Sequence, residues 1–493
     1  MKKLIFLLVY FSFCLTAFSR IIIYPAPKGE PVSADFSVSV NNKPLFVYQA
    51  RVSAIPVNQV WPGYQRPLEQ TELSSFCYFD SDQEVEIEIK STTEVRNVWI
   101  RPLSLDIKPS IKGNSIKFKI KKSCQLVVEV NGWHNALHIF SNPVETYKVD
   151  KKDPGTHYFG PGIYEAGVIN LKSNETIYIA GGAIVYGVIN SENARNIKIL
   201  GRGILDASKV ERGKAPRMIT LRGVKNAYIS GIILRDPHEW TVVPTNCDSI
   251  SINNLKLIGL WRYNSDGIDI VNSSHIRIEN SFVRSFDDCI VLKGLSRSRT
   301  KNTRSSFSDI LVDNCVIWND WGMALEIGAE TAADSIYNVI FRNCDIIHYV
   351  FNAMDIQNGD RANVYNVLYD NIRIEDPIVN NVLLDSKDKP IRDLNNLGRT
   401  PWNPESLGQL FQLNIRKNDY SRDTIRGYIE NITYKNIKYT SDHKPASSFT
   451  GLSAGHMIKN ISFENVYING TKVTDELTGN FMVRNFVSNL TFK

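Results

Sequence analysis

The six residues Ser249-Ile250-Ser251-Ile252-Asn253-Asn254 introduce a pattern that recurs along the second half of the 493-residue chain. Each copy alternates apolar and polar residues and ends on Asn, and successive copies are 26 to 34 residues apart except for one step of 65. The other copies begin at His275, Asp309, Asn338, Asn366, Asn431 and Asn460, with a partial copy at Asn489 and weaker copies around Ile197 and Ala227.

This alternation over four or five positions is typical of a strand with one buried face. Such a strand cannot bury that face alone, so successive copies must stack on one another. The closing Asn fits a turn in left-handed geometry, where its amide can hydrogen-bond from coil to coil. A leucine-rich horseshoe is the competing repeat architecture, but helix-forming runs between the strands are missing. The sequence therefore predicts an all-β protein built on a right-handed parallel β-helix.

The residues before the repeats have a different pattern. Alternating segments at residues 83–89 and 125–130, separated by turn-like breaks, predict a small antiparallel β-sandwich over residues 20–148. The β-helix domain is then expected over residues 149–493, with the boundary in the polar stretch 149–155. The 65-residue step holds a stretch rich in Pro between residues 376 and 427, which predicts a loop over one face of the β-helix.

The first nineteen residues have the features of a secretory signal peptide. Lys2 and Lys3 precede a continuous apolar run, and small residues stand at a plausible cleavage site before Arg20. We therefore expect a secreted or periplasmic protein. No later stretch reaches the roughly twenty apolar residues that span a bilayer, so no membrane span is expected. The net charge is +6, but Lys and Arg are spread along the chain, so nucleic acid is not an expected partner.

Six cysteines follow the signal, and their spacing matches neither a metal site nor a disulfide scaffold. Two of them, Cys315 and Cys344, occupy the same place in neighbouring copies. They are expected to stack, either as buried thiols or as a coil-to-coil disulfide.

Two segments concentrate carboxylates beside strands that should be half-buried: residues 264–269, with Asp266, and residues 286–290, with Asp287 and Asp288. Because they lie in adjacent coils, stacking should bring the three acids together. Crowded carboxylates repel, so at least one should keep its proton near neutral pH. A protonated acid beside ionised ones is the pairing that glycoside hydrolysis needs. The alternatives are that these Asp residues cap turns or bind a structural Ca²⁺.

The joint pattern of Asn-Ser-Asp-Gly-Ile-Asp and, 21 residues later, Asp-Asp-Cys-Ile resembles the signature of family 28 glycoside hydrolases, the polygalacturonases. The resemblance extends to residues 236–240 and 327–330, and the related dextranase-type family 49 includes members with an N-terminal β-sandwich. It implies an inverting enzyme that cleaves a polysaccharide or oligosaccharide without cofactor or metal. It also implies that Asp287 is the general acid, while Asp266 and Asp288 hold and activate the water.

The sequence departs from this family at two places. The Gly-His-Gly segment of polygalacturonases is matched by residues 321–326, which contain no His. The Arg-Ile-Lys that grips a galacturonate carboxylate is matched by Asp355, Ile356 and Gln357. A carboxylate facing Asp355 would be repelled, so a neutral sugar is favoured at the cleavage site. If Glu326 and Asp355 face the cleft, they should bind sugar hydroxyls or raise the pKa of the acid; the alternative is that both are solvated.

Further substrate-binding candidates are chosen by chemistry and by their nearness to the acids. Aromatic rings can stack on sugar faces, which suggests the Trp side chains, and the His side chains are candidates to replace the missing His. Core packing, structural hydrogen bonding and a solvated Lys are the alternatives. These candidates, in addition to Glu326, Asp355 and Gln357, are Trp318, Trp321, His238, His348 and Lys293.

Two other functions compete with hydrolysis. A β-helix polysaccharide lyase or epimerase needs Ca²⁺ or a strong base, such as Arg or Lys, beside the acids, and the sequence shows no evident arrangement of this kind. A glycan-binding protein that has lost catalysis together with the missing His is the other alternative.

Overall fold

The computed structural model describes residues 20–54, 68, 71–295, 305–376 and 408–493. The expected signal peptide and residues 377–407 of the expected loop lie outside the described residues. Within these ranges, the regular structure is almost entirely β, and no helix has both the length and the apolar character needed to cross a bilayer.

Eleven strands occupy the described part of residues 21–142. They are β1 (Ile21–Ile23), β2 (Phe36–Val40), β3 (Lys43–Leu45), β4 (Tyr48–Ser53), β5 (Thr71–Ser81), β6 (Val85–Ser91), β7 (Val98–Arg101), β8 (Ser110–Lys112), β9 (Ser115–Ile120), β10 (Cys124–Val130) and β11 (Leu137–Asn142). A 3-10 turn at Leu103–Leu105 follows β7.

These strands form two sheets around a core of their own. The first sheet contains β1, β4, β5, β7, β10 and β11, and the second contains β2, β3, β6, β8 and β9. All pairings are antiparallel except that of β5 with β11. Buried apolar side chains such as Val40, Ile87 and Leu126 fill the space between them.

The strands of the described residues from Thr156 onward are numbered β12 to β44. They are β12 (Thr156–Phe159), β13 (Gly162–Asn170), β14 (Thr176–Ile179), β15 (Ala183–Glu192), β16 (Arg195–Gly201), β17 (Ile204–Asp206), β18 (Ile219–Arg222), β19 (Lys225–Ser230), β20 (Ile233–Arg235), β21 (Val242–Thr245), β22 (Asp248–Asn253), β23 (Lys256–Ile258), β24 (Ile268–Val271), β25 (Ser274–Glu279), β26 (Phe282–Ser285), β27 (Ile290–Gly294), β28 (Phe307–Asp313), β29 (Val316–Asn319), β30 (Met323–Thr331), β31 (Ser335–Arg342), β32 (Asp345–His348), β33 (Asn352–Asn358), β34 (Asn363–Asp370), β35 (Arg373–Asp376), β36 (Gln409–Ile415), β37 (Ile429–Lys435), β38 (Lys438–Ser441), β39 (Ser447–Thr450), β40 (Ile458–Glu464), β41 (Tyr467–Ile468), β42 (Thr471–Lys472), β43 (Phe481–Val483) and β44 (Val487–Phe492). A helical turn, α1, lies at Glu476–Gly479.

The repeated segments of the sequence are the rungs of one long parallel sheet. Its order is β12-β14-β16-β19-β22-β25-β28-β31-β34-β37-β40-β44, so each repeat pairs with the next repeat along the chain. The strands between them form a second, 21-stranded sheet that completes the coils. The predicted right-handed parallel β-helix is confirmed.

The Asn that closes each repeat has the predicted conformation. Its φ is positive, between 53° and 56°, in all seven repeats. Side-chain amides also link the coils: Asn314 Nδ2 donates to Asn280 Oδ1 at 2.8 Å, and Asn371 Nδ2 donates to Asn343 Oδ1 at 2.8 Å. Both features were expected from the αL tolerance of Asn.

The N-terminal sheets pack directly on the β-helix. Tyr48, Phe76 and Phe140 of the first sheet share a buried cluster with residues of the β-helix that include Phe282 and Trp318. The β-helix itself is filled by a separate column of buried Ile, Leu, Val and aromatic side chains. Strand β11 ends at Asn142 and β12 begins at Thr156, so the expected boundary at residue 148 falls between strands. The division into two domains there stays a prediction.

Cys315 and Cys344 are both buried free thiols. They lie in neighbouring coils, as expected, and of the two states considered the structure shows the thiol pair. Burial, together with the neighbouring Cys315, raises the pKa of the Cys344 thiol well above its ordinary value.

Candidate active site

Parallel pairing of two short strands brings the acidic segments together. Ile268 of β24 lies opposite Ile290 of β27, and Asp266 and Asp288 each lie two residues before these positions. The backbone N–H of Gly267 donates to the Asp288 carbonyl at 2.8 Å. The two segments are therefore held in register by backbone hydrogen bonds.

The three predicted acids form one cluster. Asp266, Asp287 and Asp288 each place one carboxylate oxygen within 4.8 Å of the other two. Asp266 is 1% exposed and Asp287 is 8% exposed, so neither is freely solvated. The predicted proximity is confirmed, while their catalytic role stays a proposal.

A lysine ammonium lies within this cluster. Lys293 Nζ is 3.1 Å from Asp266, 3.3 Å from Asp269 and 3.2 Å from Asp288. Three carboxylate oxygens at this spacing resemble a cation site, and the ammonium supplies the positive charge there. A basic residue beside the acids was not evident from the sequence, and the structure shows that Lys293 is one; at 4% exposure it is not the solvated Lys of the alternative interpretation.

The ionisation of Lys293 and of the acids is set by their mutual charges. Burial disfavours the Lys293 ammonium, but the facing Asp266, Asp269 and Asp288 raise its pKa well above its ordinary value. Lys293 is consequently a fixed cation and not a base. Burial, followed by the charge of Asp288, raises the pKa of Asp287 well above its ordinary value. The direction of this shift favours the protonated form of Asp287 and agrees with the expectation that crowding helps at least one of the acids to keep its proton.

Asp266 and Asp269 are also shifted. Burial raises the pKa of Asp266 well above its ordinary value, although Lys293 opposes the shift. Burial raises the pKa of Asp269 to about 6, again against Lys293. The Oδ1 atom of Asp266 is buried and has no hydrogen-bond partner among the described residues. It is thus an acceptor that a bound water or a substrate hydroxyl can satisfy.

A second pair of acids lies in the next two coils. Glu326 of β30 is in register with Asp355 of β33, so two carboxyl groups stack directly. They are 2% and 0% exposed, which excludes the solvated alternative. Burial and then the charges of Asp288 and Asp355 raise the pKa of Glu326 well above its ordinary value. Burial raises the pKa of Asp355 to about 7.

Gln357 bridges this pair. Its Nε2 donates to Glu326 Oε1 at 3.3 Å and to Asp355 Oδ2 at 2.9 Å. Its Oε1 accepts from Arg416 Nη2 at 3.4 Å. Because these contacts occupy both ends of the amide, Gln357 orients the acids and has little hydrogen-bonding capacity left for substrate.

The acids line a cleft of about 420 Å³. Trp321 forms part of its wall and stacks on Phe286 with ring centroids 5.4 Å apart. Tyr420, which is 60% exposed, lies at the same cleft. Trp240 also lines it, with Lys293 Nζ 4.4 Å and Arg217 Cζ 4.0 Å from its ring centroid. A cleft with exposed aromatic rings and buried carboxyl groups suits a sugar chain.

Four predicted substrate-binding residues do not line the cleft. Trp318 is 1% exposed, and its ring stacks on that of His348 beneath the N-terminal sheets, with ring centroids 3.8 Å apart. His348 in turn pairs with Glu129 of β10. Core packing and structural hydrogen bonding are therefore the correct interpretations for these two residues. His238 is 1% exposed and also lies outside the cleft lining, as does Asp355, which contacts the lining residues Gln357 and Asn352. By contrast, Trp321, Glu326, Gln357 and Lys293 do line the cleft.

The sequence did not point to several residues of the site. Asp269 does not line the cleft but pairs with Lys293, and since it stands in the quoted acidic motif, its charge was a usable signal. Trp240 lies in a segment that matched the family pattern. Arg416 and Tyr420 follow the long insertion, where the repeat gives no register, and no sequence signal pointed to them.

Comparisons with known proteins agree with this geometry. The model of glycosyl hydrolases family 28 matches residues 175–396. Probable endopolygalacturonase D of Aspergillus flavus is 28% identical over 115 residues, which is 23% of this chain and 21% of that protein. Exopolygalacturonase of Cochliobolus carbonum is 26% identical over 286 residues, 53% of this chain and 56% of that protein. The chain thus spans from about a fifth to about half of these relatives.

Among solved structures, Dex49A from Penicillium minioluteum matches with a TM-score of 0.66 at 16% identity, covering 95% of this chain and 96% of that chain. This likeness shows the fold, including the sheets that precede the β-helix. The chain is therefore a parallel β-helix protein that is similar in sequence to family 28 glycosyl hydrolases, the polygalacturonases among them, and similar in fold to Dex49A.

Proposed function

We propose that this protein is an inverting glycoside hydrolase that cleaves a polysaccharide, either pectin-related or neutral and glucan-like. One observation carries the proposal: Asp266, Asp287 and Asp288 lie within 4.8 Å of one another in a cleft. The raised pKa of Asp287 leaves a protonated acid beside groups that Lys293 keeps in place. The polygalacturonase relatives support the polysaccharide class of the substrate.

The proposed mechanism gives each acid one role. Asp287 donates its proton to the oxygen of the leaving sugar as the glycosidic bond breaks. Asp266 and Asp288 hold a water and accept its proton as its oxygen bonds to the anomeric carbon from the opposite face. The base then loses the accepted proton to solvent and Asp287 takes up a proton from solvent, which restores both groups. Lys293 opposes by its charge the burial that raises the pKa of Asp266, and it pairs with Asp288 at 3.2 Å.

The distance between the acids bears on whether the configuration at the anomeric carbon is inverted or retained. Inverting enzymes typically separate their two carboxyl groups by about 6.5–9.5 Å and retaining enzymes by about 5–5.5 Å. The carboxylate oxygens of Asp266, Asp287 and Asp288 lie within 4.8 Å of one another, which is shorter than both of these ranges. We propose inversion because ion pairing with Lys293 weakens Asp266 and Asp288 as nucleophiles while leaving them able to orient water.

The sugar at the cleavage position is proposed to be neutral. Glu326 and Asp355 stack beneath the cleft, so a substrate carboxylate there would face two acids. Glu326 lines the cleft and suits a sugar hydroxyl there, while Asp355 accepts a hydrogen bond from Gln357 and helps to hold that amide in place.

The test is the Asp287→Asn variant. General acid catalysis contributes about 10²- to 10⁴-fold, so kcat should fall by that factor while binding is kept. Release of reducing ends from pectic, dextran-like and other neutral polysaccharides measures kcat. The matched control is Asp309→Asn, an exposed acid on the outer sheet, which should leave kcat unchanged. Equal kcat for wild type and Asp287→Asn would exclude the assigned acid.

The products decide between the remaining mechanisms. Proton NMR of the first-formed reducing end should show an inverted anomeric configuration, and retention would contradict the mechanism. Unsaturated products absorbing in the ultraviolet would indicate a lyase. A lyase needs a base, and Lys293 is poorly suited to that role because its raised pKa keeps it protonated. Tight glycan binding by wild type, with no product from any substrate, would indicate the non-enzymatic alternative.

Export is part of the proposal. The Lys2-Lys3 pair and the apolar run that follows support delivery to the periplasm or the exterior. N-terminal sequencing of the protein recovered from those fractions should begin at Arg20.

A further inference from the structure

A second groove lies between the N-terminal sheets and the β-helix. Its volume is about 1760 Å³, about four times that of the acidic cleft. One wall comes from residues 102–110 and 117–125 of the N-terminal sheets, and the other from turns of the β-helix. None of the acids assigned to catalysis lines this groove, so it is distinct from the cleft.

The groove is long because it follows the axis of the β-helix. Its lining reaches seven consecutive rungs of the β-helix, from β16 to β34. The lining residues in or just after these rungs are Arg202, Tyr228, Asn254, Asn280, Asn314, Asp345 and Arg373. Parallel strands lie about 4.8 Å apart, so six steps between rungs give a length of about 29 Å. That length fits an oligosaccharide chain, whereas a single sugar would leave most of the groove empty.

The lining carries positive charge. Five lysines line the N-terminal wall: Lys108, Lys117, Lys119, Lys121 and Lys122. The arginines of the groove are already neutralised, because Arg202 pairs with Asp80 and Arg373 pairs with Asp345. The acids of the lining are Glu86, Asp106, Glu145 and Asp345, so its five lysines and two arginines are in excess.

Two of these lysines are the most available for a ligand. Lys117 and Lys119 form surface pairs with Glu88 and Glu84 at 3.4 and 3.1 Å. Lys121 and Lys122 are exposed, and neither forms an ion pair within the described ranges of the chain. Adjacent ammonium groups on a groove wall attract carboxylates, and the attraction weakens with salt.

Both walls also offer hydrogen-bonding groups, from Tyr228, Asn254 and Asn280 on the β-helix and from Gln125 on the N-terminal sheets. Tyr147 and Tyr228 contact through their hydroxyls at 2.9 Å, and their rings are 6.0 Å apart. Gln125, which is 9% exposed, donates to Asn254 and to the Asn280 carbonyl, while its own Oε1 is buried and has no partner among the described residues. Amides and phenols repeated along a groove recognise sugar hydroxyls.

From its length, charge and polar wall, we propose that this groove is an accessory binding site for an acidic oligosaccharide, such as a chain of uronic acid residues. The carboxylates would lie against Lys121 and Lys122, and the hydroxyls against the Tyr and Asn side chains of the β-helix. The groove is separate from the cleft, so the proposal stands independently of whether the cleft hydrolyses the same polymer.

The test is calorimetric titration of the full chain carrying Asp287→Asn, with hexagalacturonate as the probe. A second binding event should be seen in addition to any binding in the cleft. Adding Lys121→Glu and Lys122→Glu should weaken that event by at least about tenfold, since two charge reversals at exposed pairs exceed ~1.4 kcal/mol. Binding should also weaken between 50 mM and 500 mM salt.

The control variants keep the same change of charge elsewhere. Lys435→Glu with Lys438→Glu reverses two exposed lysines of the β-helix outside the groove and should leave the titration unchanged. Methyl-esterified hexagalacturonate and a neutral hexasaccharide should bind the groove at least tenfold more weakly. Equal binding of neutral and acidic hexamers, tighter binding of a short DNA duplex, or no effect of the Lys121 and Lys122 changes would each overturn the proposal.

Discussion

Lys293 shows how one side chain organises the chemistry of the cleft. Its ammonium contacts Asp266 and Asp288, the two acids that are proposed to hold the water, and it does not contact Asp287 within the distance of an ion pair. These contacts separate the two acids that hold the water, which pair with the ammonium, from the proposed general acid, which does not. Acids in different environments are suited to different acid and base roles.

This separation predicts the pH dependence of turnover. Turnover requires protonated Asp287, so it should fall as pH rises through the raised pKa of that group. It should also fall at low pH, where the water-holding acids become protonated. Replacing Lys293 by Met removes the charge that lowers the pKa of Asp266, so the acid limb should move to higher pH. The measurement is kcat/KM against pH, and an unmoved acid limb in Lys293→Met would contradict the role of Lys293.

Glu326 gives a prediction for stability. Its folded pKa is raised by burial and by Asp288, so the folded state binds its proton more tightly than the unfolded state. The folded state therefore becomes less stable relative to the unfolded state as pH rises from the unfolded pKa of Glu towards the folded value. Glu326→Gln should therefore be more stable than wild type by about 1–2 kcal/mol at pH 8, and by much less at pH 4.

Urea unfolding at both pH values measures this difference. Glu430→Gln, on the half-buried outer strand β37, is the control and should show no gain with pH. A constant difference between Glu326→Gln and wild type across pH would show that the buried charge is not its cause. The predicted gain also means that wild type keeps Glu326 at a cost in stability, as expected for a residue with a role in the cleft.

At the scale of single elements, the Asn turns decide whether one rung can stack on the next. Asn343 has φ of 56°, donates to Asp313 Oδ1 at 2.8 Å and accepts from Asn371 at 2.8 Å. The turn therefore combines a conformation that few residues adopt with two hydrogen bonds along the stack.

Two substitutions separate these contributions. Asn343→Gly keeps the backbone conformation and loses two hydrogen bonds, so it should cost about 1–3 kcal/mol. Asn343→Ala adds the left-handed strain and should cost about 1–2 kcal/mol more. Thermal or urea unfolding measures both variants. Equal losses for Gly and Ala would mean that the conformation contributes nothing.

At the scale of the whole molecule, a buried ionic network joins the N-terminal sheets to the coils that carry the acids. Arg101 contacts Glu129 at 2.9 Å and Glu375 of the β-helix at 2.5 Å, and Glu129 also pairs with His348. His348 stacks on Trp318, which stands one residue before Asn319, a donor to the Asp287 carbonyl at 2.8 Å. The N-terminal sheets thus support the back of the acidic segment.

Breaking this network should be costly. Glu129→Ala leaves the buried Arg101 and His348 without their shared partner, so we expect a loss of about 3–5 kcal/mol. The control is Glu84→Ala, which breaks a surface pair with Lys119 and should cost at most about 1 kcal/mol. Unfolding should remain a single transition in wild type, because both parts share the buried cluster. A Glu129→Ala loss no larger than that of Glu84→Ala would show that the interface does not depend on this network.

The sequence by itself determined the architecture and the acid cluster. Alternating rungs closed by Asn specify a stacked parallel sheet, because strand pleat and αL tolerance are local properties. If the coils stack, Asp266 comes close to Asp287 and Asp288, because these residues occupy equivalent positions in adjacent coils. The family pattern added the roles assigned to these acids.

Only the tertiary structure decided which other side chains share the cleft. Trp318 is as near to the acids in sequence as Trp321, yet it packs with His348 against the N-terminal sheets, because the direction of a side chain depends on how each coil turns. Lys293 lies among the acids, and Arg416 joins them from beyond an insertion that hides the repeat. Both the second groove and the ionic network need residues more than a hundred positions apart, and no local pattern records such contacts.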